Sequence, residues 1–217
     1  MNREKPAKTY SEQLELLKSR GLGVENEALA LHQLEHHSYY RLSAYRFPLT
    51  LLGDPDQFQS GVTFEMLWGL YEFDRGIKQL LSEALKEIEI SVRSRWAYVL
   101  GHAHGSQAFE RSNVFSNCGR HEDALRKLDD ELRRSEEPFV AHYRERHAMS
   151  RPPIWAACEV MSFGMLSQFY ANTALSQDRK AIAKTYLLFP ENMKSLLQHA
   201  AYVRNLCAHH ARLWNRR

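Results

Sequence analysis

Between Leu67 and Val99 the apolar residues keep to one helical face almost without a break. Leu67, Leu70, Ile77, Leu81, Ala84, Leu85, Ile88, Val92, Trp96 and Val99 follow i, i+3, i+4, i+7 spacing for about ten turns. Thr63 opens the pattern, and Gly101 to Gly105 closes it. Asp74 falls where the stripe expects an apolar side chain, so it is either paired inside the fold or marks a kink.

The rest of the chain also reads as helical. Thr9-x-x-Glu12 is a capping box ahead of Leu14, Leu16 and Leu17, and Gly21 is a C′ stop. A second helix runs from about Glu25 through Leu29, Leu31 and Leu34 to His37. Periodicity is lost from Tyr39 to Pro48, and Gly53-Asp54-Pro55-Asp56 reads as a turn. Residues 106–121 read as a polar loop, Asp123 to Arg134 as a charged helix with Leu125, Leu128 and Leu132 inward, and Pro138 to His147 as a short helix. Pro153 suits the first turn of a helix carrying Ile154, Trp155, Val160, Met161, Phe163, Leu166, Phe169 and Tyr170. A helix from about Gln177 to Tyr186 follows. Pro190 opens the last, with Met193, Leu196, Leu197, Ala200, Val203 and Cys207 on its apolar face. The fold class is all-α: an N-terminal helical extension over 1–60 and a helical domain over 61–217, or one continuous domain.

A chain of 217 residues can bury a sizeable core without metals or disulfides. Three scattered cysteines, Cys118, Cys158 and Cys207, form no CxxC pair and fit a reducing, cytoplasmic setting. Met1 to Pro6 leads into a charged helical pattern with no apolar signal region, and no apolar run is long enough for a membrane span.

The net charge of +3 gives little hint of a nucleic-acid partner, but it hides a segregation. From His199 to Arg217 there are four Arg, three His and no acidic residue. Arginine offers a planar fork for phosphate oxygens, and histidine titrates near neutral pH. RNA carries its own nucleophile, the 2′-hydroxyl, so a His that moves protons and an Arg that stabilises charge on the phosphoryl oxygens suffice for cleavage. Arg204 and His209 are five residues apart, about 140° around a helix axis, so one helix makes a poor complete site. A cleft between two copies suits the chemistry better. The bland alternative is a solvated helix end with cations at the negative pole of the dipole. Burial of both groups in intramolecular ion pairs would favour that alternative.

Arg204-Asn205-Leu206-Cys207-Ala208-His209 resembles the motif of HEPN ribonucleases. The chain around it resembles the Abi-like (AbiD/AbiF) family of abortive-infection proteins in five blocks. These are Tyr39 to Tyr45, Leu70 to Arg75, Glu87 to Arg93, Pro152-Pro153-Ile154-Trp155 with Glu159 and Ser162-Phe163-Gly164, and Arg204 through Trp214-Asn215-Arg216. The resemblance implies a HEPN-type helical bundle, a role in bacterial phage defence, and metal-independent RNA cleavage by a homodimer, leaving a 2′,3′-cyclic phosphate. It places Arg204 and His209 at the catalytic positions and Asn205 at the polar position after the Arg. His210 is an alternative His, and His210, Arg212 and Arg216 are expected to contact RNA. Such an activity must be held in check, by an antitoxin, a bound non-coding RNA or an autoinhibited dimer. No cofactor is implied. Members usually continue past the Trp-Asn-Arg segment, whereas this sequence stops at Arg217. The alternative function is a non-catalytic RNA- or protein-binding HEPN module.

Other residues carry less. Glu89 and Arg93, at i, i+4, read as a surface or inter-helix ion pair, and the place of Asp74 permits a buried link to the Arg204 helix. His102-x-His104, His36-His37 and His209-His210 lack an i, i+4 His pair with an acidic third ligand, so no metal is expected. Cys207, Trp68, Trp96 and Trp155 read as core residues. Tyr39, Tyr40 and Tyr45, interleaved with Arg41 and Arg46, either pack at a helix junction or stack bases. Phosphate-binding glycine loops and GxSxG are absent from the sequence.

Overall fold

The computed structural model describes residues 6–146 and 151–216, so Met1 to Lys5, His147 to Ser150 and Arg217 lie outside the described residues. The fold is all-α, with 71% of the chain helical and one small two-stranded sheet among the described residues. The chain divides into two compact units, Met1–Leu80 with Arg212–Arg217, and Leu81–Ala211. The division falls within a helix.

In the first unit, α1 (Tyr10–Ser19) starts at the expected box: the Thr9 hydroxyl accepts from the Glu12 N–H, and the Glu12 carboxylate accepts from the Thr9 N–H at 2.7 Å. Gly21, at φ +88°, ends it, with the Leu22 N–H reaching Leu17 O at 3.2 Å. Next come α2 (Glu27–His37), capped by Asn26, and the short α3 (Tyr39–Ser43). The expected turn at Gly53–Asp56 is part of a hairpin: β1 (Thr50–Leu51) pairs antiparallel with β2 (Asp54–Phe58), and Leu52 and Gly53 make the reversal. The turn signal was right about a reversal, but it gave no sign of pairing across it. Helix α4 (Phe64–His104) then runs for 41 residues, about 60 Å of rise. Leu14, Leu17, Ala30, Leu34, Leu42, Tyr45, Phe58, Phe64 and Leu67 form the core of this unit.

In the second unit α4 is followed by α5 (Cys118–Arg134), α6 (Pro138–Arg146), α7 (Ile154–Ala157), α8 (Phe163–Asn172), α9 (Ser176–Lys184) and α10 (Pro190–Ala208). Helix α8 is the centre: Phe163, Met165, Leu166, Phe169 and Tyr170 are all buried, and it packs against α5 and α10. Residues 106–121 are not the polar loop expected. They make two 3-10 turns that bury Ala108, Phe109, Val114 and Phe115, and α5 begins at Cys118 behind an Asn117 cap. His121 is a core histidine, its Nε2 2.7 Å from Phe109 O and its ring stacked on Phe115.

The helix expected from Pro153 to Tyr170 is broken in two. Pro153 is its N-cap, Cys158–Val160 tighten into a 3-10 turn, Met161 is extended, and Ser162 caps α8 by accepting from the Met165 N–H at 3.2 Å. Trp96 is fully buried and Trp68 half-buried, but Trp155 is 55% exposed and is no core residue. On a single turn its side chain points away from the face that buries Ile154, Ala157 and Cys158.

Candidate active site

Helix α10 brings its cations to its own C-terminus. Met193, Leu197, Ala200, Ala201, Leu206 and Cys207 are buried; Asn205, His209 and His210 are exposed, and Arg204 is half-buried. His209 is the C-cap. His210 follows at φ +53°, with its N–H on Cys207 O at 3.1 Å and the Ala211 N–H on Leu206 O at 2.9 Å. This is a Schellman ending in which histidine holds the left-handed position that usually favours glycine. The helix therefore stops at the motif, and His209 sits where carbonyls point outward and the dipole favours cations.

Arg204 is anchored from below. Glu89 of α4 is buried, and its Oε2 lies 3.4 Å from Arg204 Nε while its Oε1 accepts from Arg93 Nη2 at 2.8 Å. Arg93 also reaches Glu159 at 3.4 Å and donates to the carbonyl of Met161 at 2.9 Å, the carbonyl freed where the chain breaks before α8. Arg204 Nη1 meets Asn205 Oδ1 at 3.4 Å. The side chain of Arg204 remains 37% exposed. Its Nε side thus faces a buried carboxylate, while more than a third of the side chain stays open to solvent. The Glu89–Arg93 pair expected from sequence is an inter-helix network, and its link to Arg204 is what spacing alone could not show.

Three of the sequence blocks meet here: Glu89 and Arg93, Glu159, and Arg204. A second convergence lies in the first unit on Asp74, which is fully buried and paired as its place on the stripe allowed. Its Oδ2 accepts from the Tyr45 hydroxyl at 2.6 Å and from Lys78 at 2.9 Å; its Oδ1 accepts from the backbone N–H groups of Leu213 at 3.0 Å and Trp214 at 2.6 Å. Burial alone would raise the Asp74 carboxyl, but the donors from Tyr45, Trp214 and Lys78 outweigh it and hold it below its ordinary value. Burial, and then the bond to Asp74, push the Tyr45 hydroxyl well up. The buried link is to the segment just after the Arg204 helix.

The remaining expected site residues are placed as follows. Arg212 and Arg216 belong to the first unit: half-buried Arg212 donates to Ala44 O, and Arg216 donates to Arg212 O at 3.3 Å. Tyr45 is buried against Tyr71, half-buried Tyr39 accepts from Arg20, and Tyr40 is 81% exposed. His104 pairs with buried Asp178 at 2.8 Å. Cys207 is buried, and burial, with Glu159 beside it, pushes the Cys158 thiol up to about 12, which keeps Cys158 out of thiolate chemistry.

One group escaped the sequence reading. His32, Glu35 and His36 on α2 are exposed, and their ligand atoms lie within 4.8 Å of one another. They are an i, i+4 histidine pair with an acidic neighbour, the spacing that suits a divalent ion. The pairing of His36 with its neighbour His37 hid the partner one turn back.

The model of the Abi-like protein family matches residues 32–215. The chain belongs to that family. Membership ties it to abortive infection, a form of phage defence. No match was found among curated proteins or among solved structures. The span matched by the Abi-like family holds both convergence points and the whole basic C-terminal motif through Asn215. No helix among the described residues is long and apolar enough to cross a membrane.

Proposed function

We propose that this Abi-like protein is a metal-independent HEPN endoribonuclease that acts in abortive infection. Arg204 holds the scissile phosphate and stabilises the charge that builds on its non-bridging oxygens. His209 moves the protons, taking one from the 2′-hydroxyl or giving one to the departing 5′-oxygen. The 2′-oxygen bonds to phosphorus, the P–O5′ bond breaks, and the products end in a 2′,3′-cyclic phosphate and a 5′-hydroxyl. Asn205 orients the Arg204 guanidinium, and His210, Arg212 and Arg216 contact the RNA. A homodimer supplies the motif twice at one cleft, and an antitoxin or a non-coding RNA restrains it.

The observation that carries this reading is the presentation of Arg204 and His209: Arg204 is anchored through Nε yet 37% exposed, and His209 is exposed at the helix end. The two are therefore not both buried in intramolecular ion pairs. The Glu89 contact favours a second reading, a non-catalytic RNA- or protein-binding module, because it already offsets the charge of Arg204. Incubation of the protein with RNA in EDTA, beside Arg204→Ala and His209→Ala, separates them. Cleavage by the parent and by neither variant supports the nuclease, and binding without cleavage supports the module. Cleavage that requires a metal overturns the mechanism.

A further inference from the structure

Trp155 is exposed although its neighbours in the chain, Ile154, Ala156, Ala157 and Cys158, are all buried. Gly101 of α4 lies beneath its ring. A Cβ there would crowd Ile154 Cγ2 at 3.3 Å and stand in ordinary contact with Trp155 Cε3 at 3.9 Å, so the missing side chain makes room for Ile154, and the indole lies against α4. The ring walls a cavity of about 500 Å3 whose other sides include Ser94, Tyr98, His102, Ser106 and Glu159.

The chemistry of this lining is specific. Tyr98 is 56% exposed, the Arg95 guanidinium lies 5.5 Å from its ring centre, and the His102 ring lies 4.0 Å away at a tilt of 32°. His102 Nδ1 is 2.8 Å from the Tyr98 carbonyl. A carbonyl only accepts, so Nδ1 carries a proton and donates it here. Two broad aromatic faces with hydroxyl, imidazole and carboxylate groups around them match an unpaired nucleobase, which offers a π-face to any aromatic and donors and acceptors at its edge. Location gives the second argument. Glu159 lines the cavity and touches Arg93, Arg93 touches Glu89, and Glu89 holds Arg204, at 3.4, 2.8 and 3.4 Å. The cavity and Arg204 are thus joined, side chain to side chain, through the packed Glu159–Arg93–Glu89 network within the second unit.

We infer that the Trp155 cavity is a subsite for one unpaired nucleobase of the RNA strand, stacked on Trp155 and Tyr98 next to the phosphate held by Arg204. The inference rests on the ribonuclease reading and deepens it, because it makes single-stranded RNA the substrate class. Trp155 and Tyr98 act in binding, and His209 remains responsible for the proton transfers.

The test uses the full chain with His209→Ala as a non-cleaving background and a short fluorescein-labelled single-stranded RNA read by anisotropy. Trp155→Ala is expected to weaken binding roughly tenfold to a hundredfold, and Trp155→Phe to keep most of it. A scan of single abasic positions should find one at which binding suffers with Trp155 in place but not after Trp155→Ala. Circular dichroism melting checks that each variant folds. If Trp155→Ala leaves the affinity unchanged while the parent protein cuts RNA, the subsite is overturned and the ribonuclease reading stands. If RNA is neither bound nor cut, both fall. If Trp155→Ala instead turns a dimer into a monomer in sedimentation, the cavity is an interface between copies and the inference is wrong.

Discussion

Glu89 decides how Arg204 can be used. By pairing with Nε it holds the guanidinium beside α4, and by taking Arg93 as well its buried carboxylate balances two cations. Glu89→Gln keeps the shape and removes the charge, leaving Arg93 to Glu159 and Met161 O. We expect a loss of about 2 kcal/mol in stability, read by urea unfolding, and a drop in kcat/KM of about tenfold or more. Unchanged turnover would mean that Arg204 needs no anchor. Leu187 tests the helix-end argument apart from function. It holds φ +57° at the Schellman end of α9, with the Leu188 N–H on Ala183 O at 3.1 Å, and is 94% exposed. Leu187→Gly should therefore raise stability by about 0.5–1 kcal/mol. A lower melting temperature would contradict this. At this scale the sequence announces Arg204, His209 and the Glu89–Arg93 pair, because motif and i, i+4 spacing are local signals. It does not announce that Glu89 spans from α4 to α10, or that Trp155 faces outward, since both depend on contacts made by residues far apart in the chain.

The elements show the same division between local and distant causes. The capping box of α1, the ten-turn stripe of α4 and Pro190 at the start of α10 are legible because each is complete within a few residues. The hairpin of β1 and β2 and the buried turns between α4 and α5 are not, since short apolar pieces carry no period. The break before α8 is supported from outside, with Arg93 taking the Met161 carbonyl. Asp74 fastens the segment that follows α10 by the same kind of distant contact. Its carboxyl lies below its ordinary value of 3.8 in the folded chain. Its contribution is therefore complete above the unfolded value and lost as pH falls through the folded one. Asp74→Asn should cost about 3 kcal/mol at pH 7. The gap to the parent should close as pH falls below the ordinary carboxyl value and through the lower folded one, measured by unfolding across the acid range. Amide exchange at Leu213 and Trp214 should quicken in the variant. A constant gap at all pH values would show that the charge on Asp74 is not what matters.

For the whole molecule, the fold class and the family were both legible, because helical periodicity and the five matching blocks extend over nearly the entire chain. The two compact units were not, since their division falls inside α4, where the stripe continues unbroken. The terminal segment 212–217 belongs with the first unit through contacts to Asp74 and Ala44 that no local pattern reveals. A dimeric site has its own consequence. Specific activity should fall on dilution in step with dissociation of the dimer followed by sedimentation, and activity proportional to protein at every concentration would assign the chemistry to one chain. The central claim is that RNA is cut by its own 2′-hydroxyl with Arg204 and His209 in attendance. Mass analysis of the fragments released in EDTA tests it most directly. Fragments ending in 2′,3′-cyclic phosphate, absent when Arg204 or His209 is replaced by Ala, are the predicted result; fragments ending in a 3′-hydroxyl, or undiminished cutting by either variant, would contradict it.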